Sequence, residues 1–189
     1  MSLAQKSIRQ IFQVIASIVE KNHLFEQPNE RSPQPPLQEV TRQREDAVFL
    51  SDTSTLVQQI QESSGWLFVH HWASWCDGCM EELSDIHQWI QQLAEQGIES
   101  KVLSWELFNG TPPQHALPVV RHIHQSNQLC FSSFIVTGAP EDFFTALDLA
   151  HQQIPQSSLY KDGRCVFSHL GILSTEAKEI MRTHMGGAS

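Results

Sequence analysis

Two cysteines separated by two residues, Cys76-Asp77-Gly78-Cys79, are the part of this 189-residue chain whose chemistry can be named first. At that spacing the two sulfurs can meet across one turn of helix, so the pair can cycle between dithiol and disulfide. The neighbouring residues fit that use. Upstream, Trp66-Leu67-Phe68-Val69 reads as a short apolar strand. Downstream, Leu83, Ile86, Ile90 and Leu93 recur at three- and four-residue steps with Trp89 alongside, the apolar stripe of an amphipathic helix. The pair therefore stands where a strand ends and a helix begins. Free backbone N–H groups and the positive end of the helix dipole favour thiolate over thiol there.

The elements that must position this pair follow from the rest of the chain. A net charge of −9 gives little electrostatic support for nucleic acid or an anionic membrane as partner. Four cysteines in a chain of this length do not make a disulfide scaffold. Cys130 and Cys165, each alone among strand-like residues, are expected to be buried, inert thiols. Residues 1–25 carry Ile8, Ile11, Phe12, Ile15, Ile18 and Val19 on one helical face, an amphipathic helix able to lie on the domain, a partner or a membrane surface. Residues 26–45 are polar and rich in proline (Pro28, Pro33, Pro35, Pro36) and read as a linker. From residue 46 to 189 strands and helices alternate. A first strand at Ala47–Leu50 leads to a helix capped at Ser51-Asp52, and the dithiol helix runs to Gln96 and is stopped by Gly97. A strand lies within Ile98–Trp105, a helix carries Val119, Val120 and Ile123, and a strand spans Phe131–Val136. A helix opens at Pro140 and runs through Phe143, Leu147 and Leu149. A hairpin turning at Lys161-Asp162-Gly163 and a last helix from Ser174 close the chain. That order predicts an α/β sandwich around a central mixed β-sheet flanked by helices.

The motif WASWCDGC, followed far downstream by IPQSSLYKDGRCVFSHLG, resembles the thioredoxin superfamily, and within it the TlpA/ResA-like thiol-disulfide oxidoreductases. The resemblance covers about Ala47 to the C-terminus. It implies a thioredoxin-like fold over 46–189, with a helix–strand insertion between Trp105 and Pro155. It also implies a cis bond before Pro155, facing the dithiol. Under it Cys76 is the attacking thiolate and Cys79 the resolving thiol. Ile154 offers its backbone to an extended partner segment, and Trp75, Pro155 and Gly171 line a shallow groove. Substrates would be disulfides or thiols of other proteins, with no cofactor beyond the cysteine pair. The family implies the bacterial periplasm or an outward membrane face. The N-terminus lacks a small-x-small cleavage site, and taken as complete it would place the chain in the cytoplasm.

Three departures from that family pattern stand out. Gly78 replaces the usual proline before the second cysteine and loosens the helix start. Asp77 sets a carboxylate beside the nucleophile, where it either raises the thiol pKa or serves the helix N-terminus. His70 takes a place where thioredoxins carry a buried acid. It is either a general base for the Cys79 proton or a histidine hydrogen-bonded inside the sheet, while His71 alternates to the other face. Two rival functions use the same residues. Cys76 and Cys79 with His70 or His71 could bind copper or zinc, but a closed zinc site wants four ligands and no second pair has the spacing. His122 and His124, two apart on a predicted helix, point in different directions. A redox-inactive interaction or assembly module would use the tryptophans around the loop and the N-terminal arm.

Overall fold

A computed structural model describes residues 47–150 and 152–186, so the helix expected over 1–25 and the linker over 26–45 lie outside the described residues. In chain order the elements are β1 (Val48–Asp52), α1 (Thr53–Gln61), β2 (Trp66–Trp72), α2 (Asp77–Glu95) and β3 (Glu99–Ser104). A 3-10 turn (Glu106–Asn109) follows, then α3 (Pro113–Asn127), β4 (Ser133–Thr137), α4 (Pro140–Ala146), β5 (Gln156–Lys161), β6 (Arg164–Leu170) and α5 (Thr175–Gly186). The six strands form one mixed sheet in the order β1-β4-β3-β2-β5-β6. β2 runs parallel to β3 and antiparallel to β5. The expected insertion is α3 with β4, and β4 takes a place between β1 and β3.

β2 is central, and its sequence shows it. WLFVHHW has no solvent-facing alternation, because both faces are covered by helices. Alternation still sorts its side chains. Phe68 and Trp72 enter one core with Leu83, Ile86, Trp89 and Leu93 of α2, Val120 of α3 and Met181 of α5. Leu67 and Val69 enter the other with Leu56 and Ile60 of α1 and Phe143 and Phe144 of α4. Parity therefore turns His70 toward the α2 face and His71 toward the α4 face. His71 stacks on Trp105, whose indole Nε1–H donates to His71 Nδ1 at 3.1 Å.

Local chemistry sets the ends of the elements. Asp52 caps α1 by accepting the Thr55 N–H at 2.9 Å. Pro113 and Pro140 open α3 and α4, where a missing N–H costs nothing. The helix expected to carry Leu147 and Leu149 stops at Ala146, and both leucines pack from the following turn instead. The β5–β6 hairpin turns at Asp162-Gly163, both at positive φ, and Asp162 is tied to Gly65 through its backbone N–H and its carboxylate. A Cβ at Gly163 would overlap the Gln61 carbonyl, and φ is +76°. Gly163→Ala is expected to cost roughly 1–3 kcal/mol from backbone strain, more if Gln61 must shift, as read from the urea midpoint. An unchanged midpoint would refute the packing described for this turn.

Cys130 and Cys165 are both exposed, contrary to the buried thiols expected from sequence. Cys130 lies in the loop between α3 and β4 rather than on a strand. Cys165 sits on β6, an edge strand with no fully buried position.

Candidate active site

The loop that delivers the dithiol is fastened from a neighbouring strand. In the parallel β2–β3 register Trp72 lies opposite Ser104, and two residues further on Glu106 reaches Ser74. The Glu106 carboxylate is buried and accepts the Ser74 N–H at 2.6 Å, the Ser74 hydroxyl at 2.7 Å and the Ser104 hydroxyl at 3.1 Å. Three donors on one carboxylate compensate its burial and fix the chain two residues before Cys76.

Cys76 and Cys79 form a disulfide, with Cα atoms 5.2 Å apart. Cys76 is the N-cap of α2, and its Sγ accepts the Cys79 N–H at 3.2 Å. In the reduced protein that sulfur stands for the thiolate, and the same N–H would stabilise its charge. Cys76 is half-buried while Cys79 has 0 % of its surface exposed. An incoming partner can reach only the first sulfur.

Beneath the pair lies a buried polar chain. Glu82 stands one helical turn beyond Cys79 on the same face of α2. It is 3 % exposed, and its Oε2 accepts the Leu173 N–H at 2.7 Å. Its Oε1 faces His70 Nε2 at 3.7 Å, and neither atom has a hydrogen-bond partner among the described residues. His70 Nδ1 lies 2.9 Å from the hydroxyl of Ser157, its cross-strand partner on β5. Burial pushes the Glu82 carboxyl up to about 7, with the Leu173 N–H and Lys178 pulling the other way. Burial, with His71 adding, pushes His70 down to about 3, so its imidazole is neutral. Near neutral pH this site therefore holds a carboxyl that can take or release a proton, beside a neutral imidazole that can hydrogen-bond to either form.

The residues singled out in the sequence assemble unevenly around this centre. The Ile154–Pro155 bond is cis. A Cβ placed on Gly78 would lie 3.8 Å from Pro155 Cδ and 3.8 Å from Ile172 Cγ1, so both side chains flank the C-x-x-C loop. Gly171, at positive φ, donates its N–H to the Pro155 carbonyl at 2.8 Å; it anchors the proline segment. Trp75 and Ile154 line an apolar cleft of about 260 Å³. His71 and His124 lie elsewhere, the latter on Ser133 of β4 at 2.8 Å. Among the described residues no group of three or more His, Cys, Asp or Glu side chains is placed to hold a metal ion. Likewise none of the described helices is long and apolar enough to cross a membrane.

Sequence reasoning passed over Glu82, Glu106, Phe108 and Ile172. Glu82 had a readable signal: a charge three residues after Cys79 and four before Ile86 falls on the buried stripe of its own helix.

No family model matches the sequence, and no curated protein does either. Among solved structures 238 chains are similar. One is a thioredoxin-family thiol:disulfide interchange protein from Chlorobium tepidum, 17 % identical, with a TM-score of 0.52 over 68 % of this chain and 84 % of that one. A DsbF homologue from Corynebacterium diphtheriae is 12 % identical, with a TM-score of 0.52 over 68 % and 75 %. A thioredoxin-related protein from Neisseria meningitidis is 13 % identical, with a TM-score of 0.50 over 64 % and 87 %. At these identities the likeness concerns architecture, and the conclusion it supports with the geometry above is that the described residues adopt the thioredoxin-like fold, with a C-x-x-C disulfide at the β2–α2 junction.

Proposed function

We propose that this protein is a thiol-disulfide oxidoreductase that exchanges its Cys76–Cys79 pair with cysteines of partner proteins. The observation that carries the reading is the asymmetry of the pair. One sulfur is accessible at a helix N-terminus, and the other is fully buried on the face of α2 that also buries Glu82 one turn on. In the reductive direction the Cys76 thiolate attacks a partner disulfide, forming a mixed disulfide and releasing one partner thiolate. Glu82 as carboxylate accepts the Cys79 proton. The Cys79 thiolate then attacks Cys76 Sγ, the second partner thiolate leaves, and two electrons have passed to the partner. The oxidative direction reverses each step. Ile154, whose backbone takes part in none of the described backbone–backbone hydrogen bonds, supports docking of an extended partner segment beside Pro155.

The test is a redox titration of the purified protein against glutathione or dithiothreitol, read by thiol alkylation and mass. One two-electron transition confined to the peptide bearing Cys76 and Cys79 is the expected result, and its midpoint tells reductant from oxidant. No transition, or one consuming Cys130 and Cys165 instead, would discard the reading.

Glu82 is separately testable. In single-turnover experiments the resolution step should speed up as pH rises through about 7, when the carboxyl ionises and can take the Cys79 proton. Glu82→Gln should remove that inflection and slow resolution roughly 100-fold. A glutamine variant with the wild-type pH profile would take Glu82 out of the proton path.

A further inference from the structure

The cleft beside the dithiol has a composition that specifies what can enter it. Its floor is Trp105 and Phe144, each 3 % exposed. Its walls are Trp75, Phe108 and Ile154, and Gln152 and Gln153 lie at the rim. Among the described residues no charged side chain lines it. The one indole N–H in its floor is already committed to His71 Nδ1, so the floor has no free side-chain donor to offer a guest. Trp75 and Phe108 stack at 6.3 Å with their rings 20° from parallel, yet they remain 38 % and 52 % exposed. Exposed aromatic surface of this kind marks an interaction site more often than it marks a fold requirement. With a volume of about 260 Å³ the cleft falls just below the range of small-molecule pockets and accommodates a single large side chain.

Its location restricts the guest further. Trp75 is bonded directly to Cys76, and Ile154 directly to Pro155, which lies against the Gly78 loop. In a protein joined to Cys76 through a mixed disulfide, the residues around its own cysteine lie beside this cleft. An extended chain advances about 3.3 Å per residue, so the side chains one and two positions from that cysteine are the ones that reach the walls. Resting on the exchange reading above, we infer that the cleft selects partners carrying an aromatic or large aliphatic residue within two positions of the exchanging cysteine. The guest ring completes the Trp75–Phe108 stack, and the glutamine amides at the rim hydrogen-bond to the partner's backbone.

The experiment uses symmetric disulfides of blocked pentapeptides with a central cysteine. Phenylalanine, leucine, alanine, lysine or aspartate is placed one or two positions away, and kcat/KM is measured with the reduced protein. Phenylalanine and leucine peptides should exceed the alanine peptide by on the order of tenfold or more, with aspartate lowest. In Phe108→Ala the phenylalanine-to-alanine ratio should collapse to within about twofold. In Phe108→Asp the order should invert, so that the lysine peptide overtakes the phenylalanine one. Equal rates across the series, or a preference that survives both substitutions, would overturn the inference while leaving the exchange reading intact. Failure to reduce any of the peptides, together with no transition in the redox titration, would overturn both.

Discussion

Cys76→Ser should reduce disulfide exchange to the uncatalysed background, while Cys79→Ser should accumulate a covalent complex. The difference follows from burial. With serine at 76 the only remaining thiol of the pair is Cys79, which has no exposed surface for a partner sulfur to approach. With serine at 79 the first attack proceeds unchanged at the helix N-terminus, but nothing is left to displace the partner. The loss in the first variant is the whole catalytic advantage, the largest effect any single substitution here should produce. Mass spectrometry of the two variants after mixing with a peptide disulfide reads both outcomes at once. A stable adduct on Cys76→Ser, or its absence on Cys79→Ser, would reverse the assignment of the two sulfurs.

Acid should destabilise the fold steeply, and three buried histidines are the reason. His70 and His71 are fully buried with pKa values pushed from 6.5 down to about 3, and buried His124 from 6.5 to about 4. Each is neutral in the folded chain and protonated in the unfolded chain below about 6.5, so the unfolded state binds more protons and stability falls as pH drops through that range. At pH 5 each group contributes about 2 kcal/mol of loss, 1.4 kcal/mol for every unit below 6.5. Glu82 opposes them. Its folded pKa of about 7 lies above the ordinary 4.5, so between those values the folded state holds the extra proton and gains stability as pH falls. The net expectation is a loss of about 3 kcal/mol between pH 7 and pH 5, steepening below about 4.5 where Glu82 no longer compensates. Urea unfolding across that range measures it. His71→Phe should lower stability overall, since it leaves the Trp105 indole N–H without its acceptor, but reduce the proton uptake on unfolding by about one. A pH-independent midpoint would mean the histidines are not held neutral.

How much of this could be read in advance depended on whether the information was local. The change of period between Trp66–Val69 and Leu83–Leu93 put the dithiol at its strand–helix junction, and alternation alone separated His70 from His71. The hairpin was legible because Asp-Gly needs positive φ and few other pairs supply it. What escaped was set by tertiary neighbours. Glu82 stands on the buried stripe of its helix, but the group that holds it there, the Leu173 N–H, is 91 residues away. Glu106 and Ser74 are 32 residues apart and meet only because β3 lies beside β2 in one register. Cys165 looked buried because strand composition does not distinguish an edge strand from a central one. Phe108 was passed over because nothing nearby in sequence announces Trp75, which it stacks on 33 residues away.

The Leu173 N–H bond to Glu82 has a consequence for the groove itself. Leu173 follows Ile172, whose half-exposed side chain flanks Gly78 of the C-x-x-C loop. An ionised carboxylate holds an N–H about twice as strongly as a neutral carboxyl does. If Glu82 takes up the Cys79 proton as proposed above, the segment carrying Ile172 would be held less tightly, and loss of the proton would draw it back. On that proposal one proton would serve both the redox step and the hold on Ile172, so the two halves of the cycle would present the C-x-x-C loop with a flank of different stiffness.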